Sequence, residues 1–285
     1  MSFERSRRVS CREGRQAGLP GLEELMGSIL QRRENATITY TMVTKSPGLS
    51  AAPGRAAGRA SFFLAAHVVL LLIVLTGFAP SFYLRATFPH VHQLPALLHV
   101  HGAVLTGWFV LTVVQGWLIG SQRWDLHRRL GYFAAGYAAL VIVLGVLANL
   151  MLISQLDSPA DGENVVVWAN FFTLVMFAVF VSLAIVFRTR PDAHKRLILL
   201  ASMSIIGPAL ARFPRWPIFA GGLEAGRSYA IGGLLILFAL LITYDVVTRR
   251  RPHPASWIGM VAIIASIAGA VFLGVTGIGW HLING

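Results

Sequence analysis

Asp125-Leu126-His127-Arg128-Arg129-Leu130 recurs 67 residues later as Asp192-Ala193-His194-Lys195-Arg196-Leu197. Both copies follow Asp-x-His-[Arg/Lys]-Arg-Leu, and each lies between two long apolar segments. Working outward from these hexapeptides, seven apolar runs appear, at 61–84, 94–120, 131–153, 165–187, 197–212, 228–247 and 255–282. Six are long enough to cross about 30 Å of hydrocarbon at about 1.5 Å per residue. The fifth is short unless its helix begins within the second hexapeptide. Backbone N–H and C=O groups in lipid must be satisfied within the segment, so these runs are predicted to be helices. The expected fold is an all-α, polytopic bundle of seven transmembrane helices (residues 61–285), preceded by a basic, disordered tail (residues 1–60).

Composition agrees with this reading. The chain is 55% hydrophobic and only 13% charged, with mean hydropathy +0.66; a soluble domain carries about 25% charged residues. Its net charge of +12 sits in the tail and in loops, so it is read as membrane topology and not as nucleic-acid binding. The tail and the second, fourth and sixth loops hold 20 of the 24 Lys and Arg residues; Arg85, Arg212, Arg215 and Arg227 lie on the other side. Positive charge stays inside, which predicts a cytoplasmic N-terminus. The single cysteine, Cys11, excludes an intrachain disulfide or a cysteine-ligated zinc or iron–sulfur centre.

Both hexapeptides then fall on the inner face, each ahead of a helix running outward. Asp125 and Asp192 are expected to cap those helices, and the basic residues satisfy the positive-inside rule. His127 and His194 are the surplus. Near a helix N-terminus the neutral imidazole is favoured, which is the form a metal or haem iron takes. The repeat also suggests that helices two and three duplicate helices four and five.

Polar residues within the spans sort into two layers. His67, Gln115 and Asp245 lie towards the inside, bordered by His127 and His194. His99, His101, Asn149, Asn170 and Arg212 lie towards the outside and are read as an outward-facing ligand pocket. His99 and His101 point about 200° apart on a helix, so they do not share one ligand. A whole span separates His101 from His127. A haem held by two histidines therefore has to use one layer, with His67, His127 and His194 as the inner candidates. Gly207-Pro208 predicts a kink in helix five, freeing a carbonyl near Ser204. Small residues at Ala262, Ser266, Ala270 and Gly274 form a close-packing stripe, assigned to contacts within the bundle ahead of a homo-oligomer face.

The run from Leu97 to Gly131, with His101-Gly102, Gln115 and His127-Arg128-Arg129-Leu130-Gly131, followed by His194-Lys195-Arg196, resembles a group of uncharacterised bacterial multi-pass membrane proteins. The resemblance implies membrane location and a shared fold, with no assigned activity. Histidines in two layers on antiparallel helices are also similar to the cytochrome b561 group, which implies b-type haem; the outer layer here departs from it in having no clear second ligand. Three expectations follow: a histidine-ligated redox protein, a transporter or small-ligand-binding protein, and a membrane scaffold. No P-loop, His-Glu-x-x-His or Gly-x-Ser-x-Gly motif supports soluble-type enzymology.

Overall fold

In a computed structural model, the described backbone comprises residues 53–87, 95–158, 162–219, 221–222 and 225–284, with side chains described from Phe62 onward. Residues 1–52, the greater part of the basic tail, lie outside them. Nine α-helices are described: α1 (Pro53–Phe78), α2 (Ala96–Gly120), α3 (Trp124–Ile153), α4 (Glu163–Val186), α5 (Pro191–Ser204), α6 (Gly207–Leu210), α7 (Gly226–Arg249), α8 (Pro254–Val275) and α9 (Ile278–Asn284). No strand occurs among the described residues. Six helical segments are long and apolar enough to cross a membrane; α5 with the segment Gly207–Arg215, bent by 47°, has the form of a broken span or a re-entrant loop. The chain is an all-α, multi-pass membrane protein.

The bundle is apolar on its outer surface and encloses a number of polar residues within a mainly apolar core. Val143, Ile236, Leu240, Val261 and Phe272 are exposed, whereas His67, Thr112, Asn149, Asn164, Arg196, Ser202 and Asp245 are buried. That arrangement suits lipid, where apolar surface costs nothing to expose and polar groups need partners. Helix α5 is the most enclosed: Arg196, Leu197 and 199–206 are all buried. It is bordered by α4 and α8, which pack closely on one another. At its centre Trp108 meets Phe177 edge-on at 4.9 Å and donates to Ser202 Oγ at 3.1 Å.

Local chemistry explains the breaks. Pro208 lacks the N–H that would continue α5, and the helix stops at Ser204. Pro80 likewise leaves the Thr76 carbonyl of α1 without its usual donor. Trp216 Nε1 supplies one at 2.9 Å. The seventh run divides into α8 and α9 at Gly277, whose φ of +72° favours glycine. The small-residue stripe of α8 faces α4: a Cβ on Gly274 would lie 2.6 Å from Val165 Cα. This contact within the bundle accounts for the stripe.

The hexapeptides differ from expectation in one respect. They do not precede their helices but form the first turns of α3 and α5. Arg123 and Arg190 are the N-cap residues, and neither makes a side-chain cap bond. Asp125 and Asp192 sit in the first turn, where a carboxylate still complements the helix dipole.

Candidate functional site

The two hexapeptides align in structure. His127 and His194 are each the fourth residue of their helix, and their N–H groups bond to the carbonyls of Arg123 and Arg190, both at 3.0 Å. Each copy makes an i,i+3 ion pair from its Asp, Arg128 to Asp125 and Lys195 to Asp192. The copies part at the next residue. Arg129 lines a groove with Leu118, Leu126, Leu130 and Phe133. Arg196 is 1% exposed and holds Asp245, which is 0% exposed. Arg196 Nε donates to Asp245 Oδ1 at 3.0 Å, and its Nη1 donates to the Asp192 carbonyl at 2.7 Å. Ser256 Oγ and the His253 N–H donate to Asp245 Oδ2 at 2.6 and 3.0 Å. The guanidinium also lies over Phe63 and Tyr244. A buried carboxylate with this many donors stays ionised and ties α5, α7 and α8 together.

Beside this network lies a cavity of about 160 Å³, with Phe63, His67, Trp108, Thr112, Gln115, His127, His194 and Lys195 among its lining residues. All three inner-layer histidines are on its wall. They arrive from α1, α3 and α5. His67 Nδ1 donates to the Phe63 carbonyl at 2.7 Å. Its Nε2 is buried and has no hydrogen-bond partner. His194 Nδ1 donates to the Ala184 carbonyl of α4 at 2.8 Å. A carbonyl can only accept, so both rings carry their proton on Nδ1 and leave an Nε2 lone pair. Metal-ligating histidines are commonly held in this way. Among the described residues no group of three His, Cys, Asp or Glu residues is arranged to hold one metal ion.

The Gln115 amide of α2 lies against the His127 ring and the first turns of α3. One end of the amide is 2.5 Å from His127 Nδ1 and 3.2 Å from the His127 carbonyl oxygen, and the other is 3.0 Å from the Gly131 nitrogen.

The outer-layer residues are served separately. His99 is exposed, with Nδ1 3.3 Å from the Pro95 carbonyl. His101 is half-buried and faces the Leu144 carbonyl. Asn149 Nδ2 donates to the Val167 carbonyl at 3.2 Å, joining α3 to α4. The Asn170 carbonyl accepts from Thr173. Arg212 donates to the Pro208 carbonyl at 2.7 Å and lies over Phe78 at 4.5 Å. None of these five lines the histidine cavity.

Two contributors escape the sequence reading. Arg196 was assigned to topology, although Asp245 within an apolar span calls for a buried cation. Trp108 carries no signal distinguishing it from an ordinary core aromatic. No protein-family model, curated protein or solved structure matches the chain.

Proposed function

We propose that the protein is a redox protein of the bacterial inner membrane that holds a b-type haem in the histidine cavity. Its N-terminal tail and basic hexapeptide end face the cytoplasm, as the Lys and Arg distribution favours. The observation that carries this reading is the His67 ring, locked through Nδ1 with a buried, unpartnered Nε2 on the cavity wall. Leaving such a lone pair unused costs about 1–3 kcal/mol, and ligation to iron removes that cost. The donor set fits the group, since haem iron accepts axial imidazole. His67 and His194 are the residues that would hold the group, and when bound it would supply one-electron chemistry. Phe63 and Trp108 line the cavity, and the carbonyls of Phe63 and Ala184 orient His67 and His194.

The test is the visible spectrum of protein purified after expression with ample haem, together with iron analysis. A Soret band and about one iron per chain are expected. Absence of both sinks the redox reading.

The cavity volume favours a second reading. About 160 Å³ holds a small polar molecule, on the order of five waters at ~30 Å³ each. In that case the protein is a ligand-binding or transport protein whose site lies at the hexapeptide end. Thermal stabilisation by the ligand is then lost in His67→Ala and kept in Arg212→Ala.

A further inference from the structure

We propose that the open groove at the α2–α3 turn binds one anionic glycerophospholipid, with the Arg129 guanidinium on its phosphate and an acyl chain along the apolar wall. This site is independent of what fills the histidine cavity, since no residue lining the groove lines that cavity.

The sequence of α3 builds the groove. Leu126, Arg129, Leu130 and Phe133 follow i, i+3, i+4, i+7 spacing, so they form one stripe along the helix. A stripe of this period ordinarily packs against a neighbouring helix. Here it meets Leu118 near the end of α2 and borders an open volume of about 420 Å³. Leu126 and Phe133 are exposed.

One charge stands in this apolar stripe. Arg129 forms no ion pair among the described residues, and Asp125, one turn earlier, is paired with Arg128. Arg196 holds the same place in the second hexapeptide and meets Asp245 inside the bundle. The first hexapeptide leaves the equivalent charge to a partner from outside the chain. A planar guanidinium matches phosphate oxygens with two parallel N–H donors.

The groove also lies at headgroup level. Helix α3 has 30 residues, about ten more than the ~20 that cross a bilayer core. Trp117, Trp124 and Tyr132, on the same two helix ends, are exposed, as aromatic residues are at a membrane interface. The Arg123 guanidinium lies over the Trp117 ring at 5.8 Å. Arg123, Arg128 and Arg129 outnumber the single carboxylate of Asp125 there. That excess favours an anionic headgroup over a zwitterionic one, whose cationic end it repels.

Native mass spectrometry of the full-length protein in neutral detergent tests the site. Phosphatidylglycerol and phosphatidylethanolamine with matched acyl chains are added in equal amounts. The wild type should retain phosphatidylglycerol in preference, and Arg129→Gln should lower that retention about fivefold. Arg128→Gln removes the same charge from the same helix end, outside the groove, and should stay within about twofold of wild type. Phe133→Ser should weaken retention of both lipids, because it removes apolar wall and leaves the charge. All three positions are exposed, and unchanged helical circular dichroism shows that the variants fold. Equal losses in Arg129→Gln and Arg128→Gln, or equal retention of the two lipids by the wild type, would overturn the proposal. So would a dimer that Phe133→Ser dissociates, which would assign the groove to a second copy of the chain. The visible spectrum has no bearing on these outcomes, so this site and the haem reading stand or fall separately.

Discussion

Arg129 and Arg196 hold the same place in the two hexapeptides and have opposite fates. Arg128 and Asp125 have 71% and 82% of their side chains exposed, where an ion pair contributes under about 1 kcal/mol. Arg196 and Asp245 are sealed, so removing either partner strands a buried charge. Asp245→Ala is expected to destabilise the bundle by ~3–5 kcal/mol, and Arg129→Ala by no more than ~0.5 kcal/mol, in reversible denaturation in mixed micelles. An Arg196→Met, Asp245→Leu double variant should be closer to wild type than Asp245→Ala. His253 is a second residue with a testable consequence. It caps α8 by accepting from the Ala255 N–H at 3.1 Å. Burial lowers its pKa below the usual imidazole value, and the nearby Arg196 and Arg249 guanidiniums lower it further, against the opposing Asp245 and Asp192 carboxylates. The sign follows from linkage. The unfolded ring takes up a proton first, so this contribution to stability is present above about pH 6.5 and is lost as pH falls through the lower folded value. His253→Asn keeps a cap acceptor that does not titrate. Its melting temperature should fall less than that of the wild type between pH 7 and pH 5.

At the scale of helices, what each element does follows from where its backbone groups are satisfied. Trp216 serves the carbonyl that Pro80 frees, and the Gln115 amide lies against the first turns of α3. Closest approach is set by small residues. Gly274 permits α8 to meet α4 at backbone distance, so Gly274→Leu is expected to cost about 1–3 kcal/mol through overpacking. The measurement is again denaturation in micelles, and a wild-type midpoint would show that the two helices part freely there. The kink of α5 was legible in Gly207-Pro208, because a missing N–H is a property of one residue. The caps were misplaced by two positions: the Asp side chains matched a cap preference, whereas the turn geometry put Arg123 and Arg190 at the boundary.

At the scale of the whole molecule, orientation is open to a test that needs no engineering. Cys11 is the only thiol, and it lies in the N-terminal tail. A membrane-impermeant maleimide should label it in inverted vesicles and not in intact spheroplasts; labelling in spheroplasts would reverse the proposed topology. The all-helical fold and its six or seven long apolar helices were legible in the sequence. Each depends only on distance along the chain, since in lipid every helix satisfies its own backbone. The outer layer shows the limit of that reading. His99, His101, Asn149, Asn170 and Arg212 were read as one layer, yet none of them lines the histidine cavity, and His101 Nδ1, Asn149 Oδ1 and Arg212 Nε are each buried without a hydrogen-bond partner. Depth is a one-dimensional property, whereas contact depends on the rotation of each helix about its axis and on which neighbour it meets. The sequence by itself determined an all-α, multi-pass bundle and grouped three histidines in one layer. Only the tertiary structure decided that those histidines share a cavity, that Arg196 is buried against Asp245, and that the Gln115 amide meets the His127 ring. All three depend on hydrogen-bond donors and acceptors brought from helices distant in the chain.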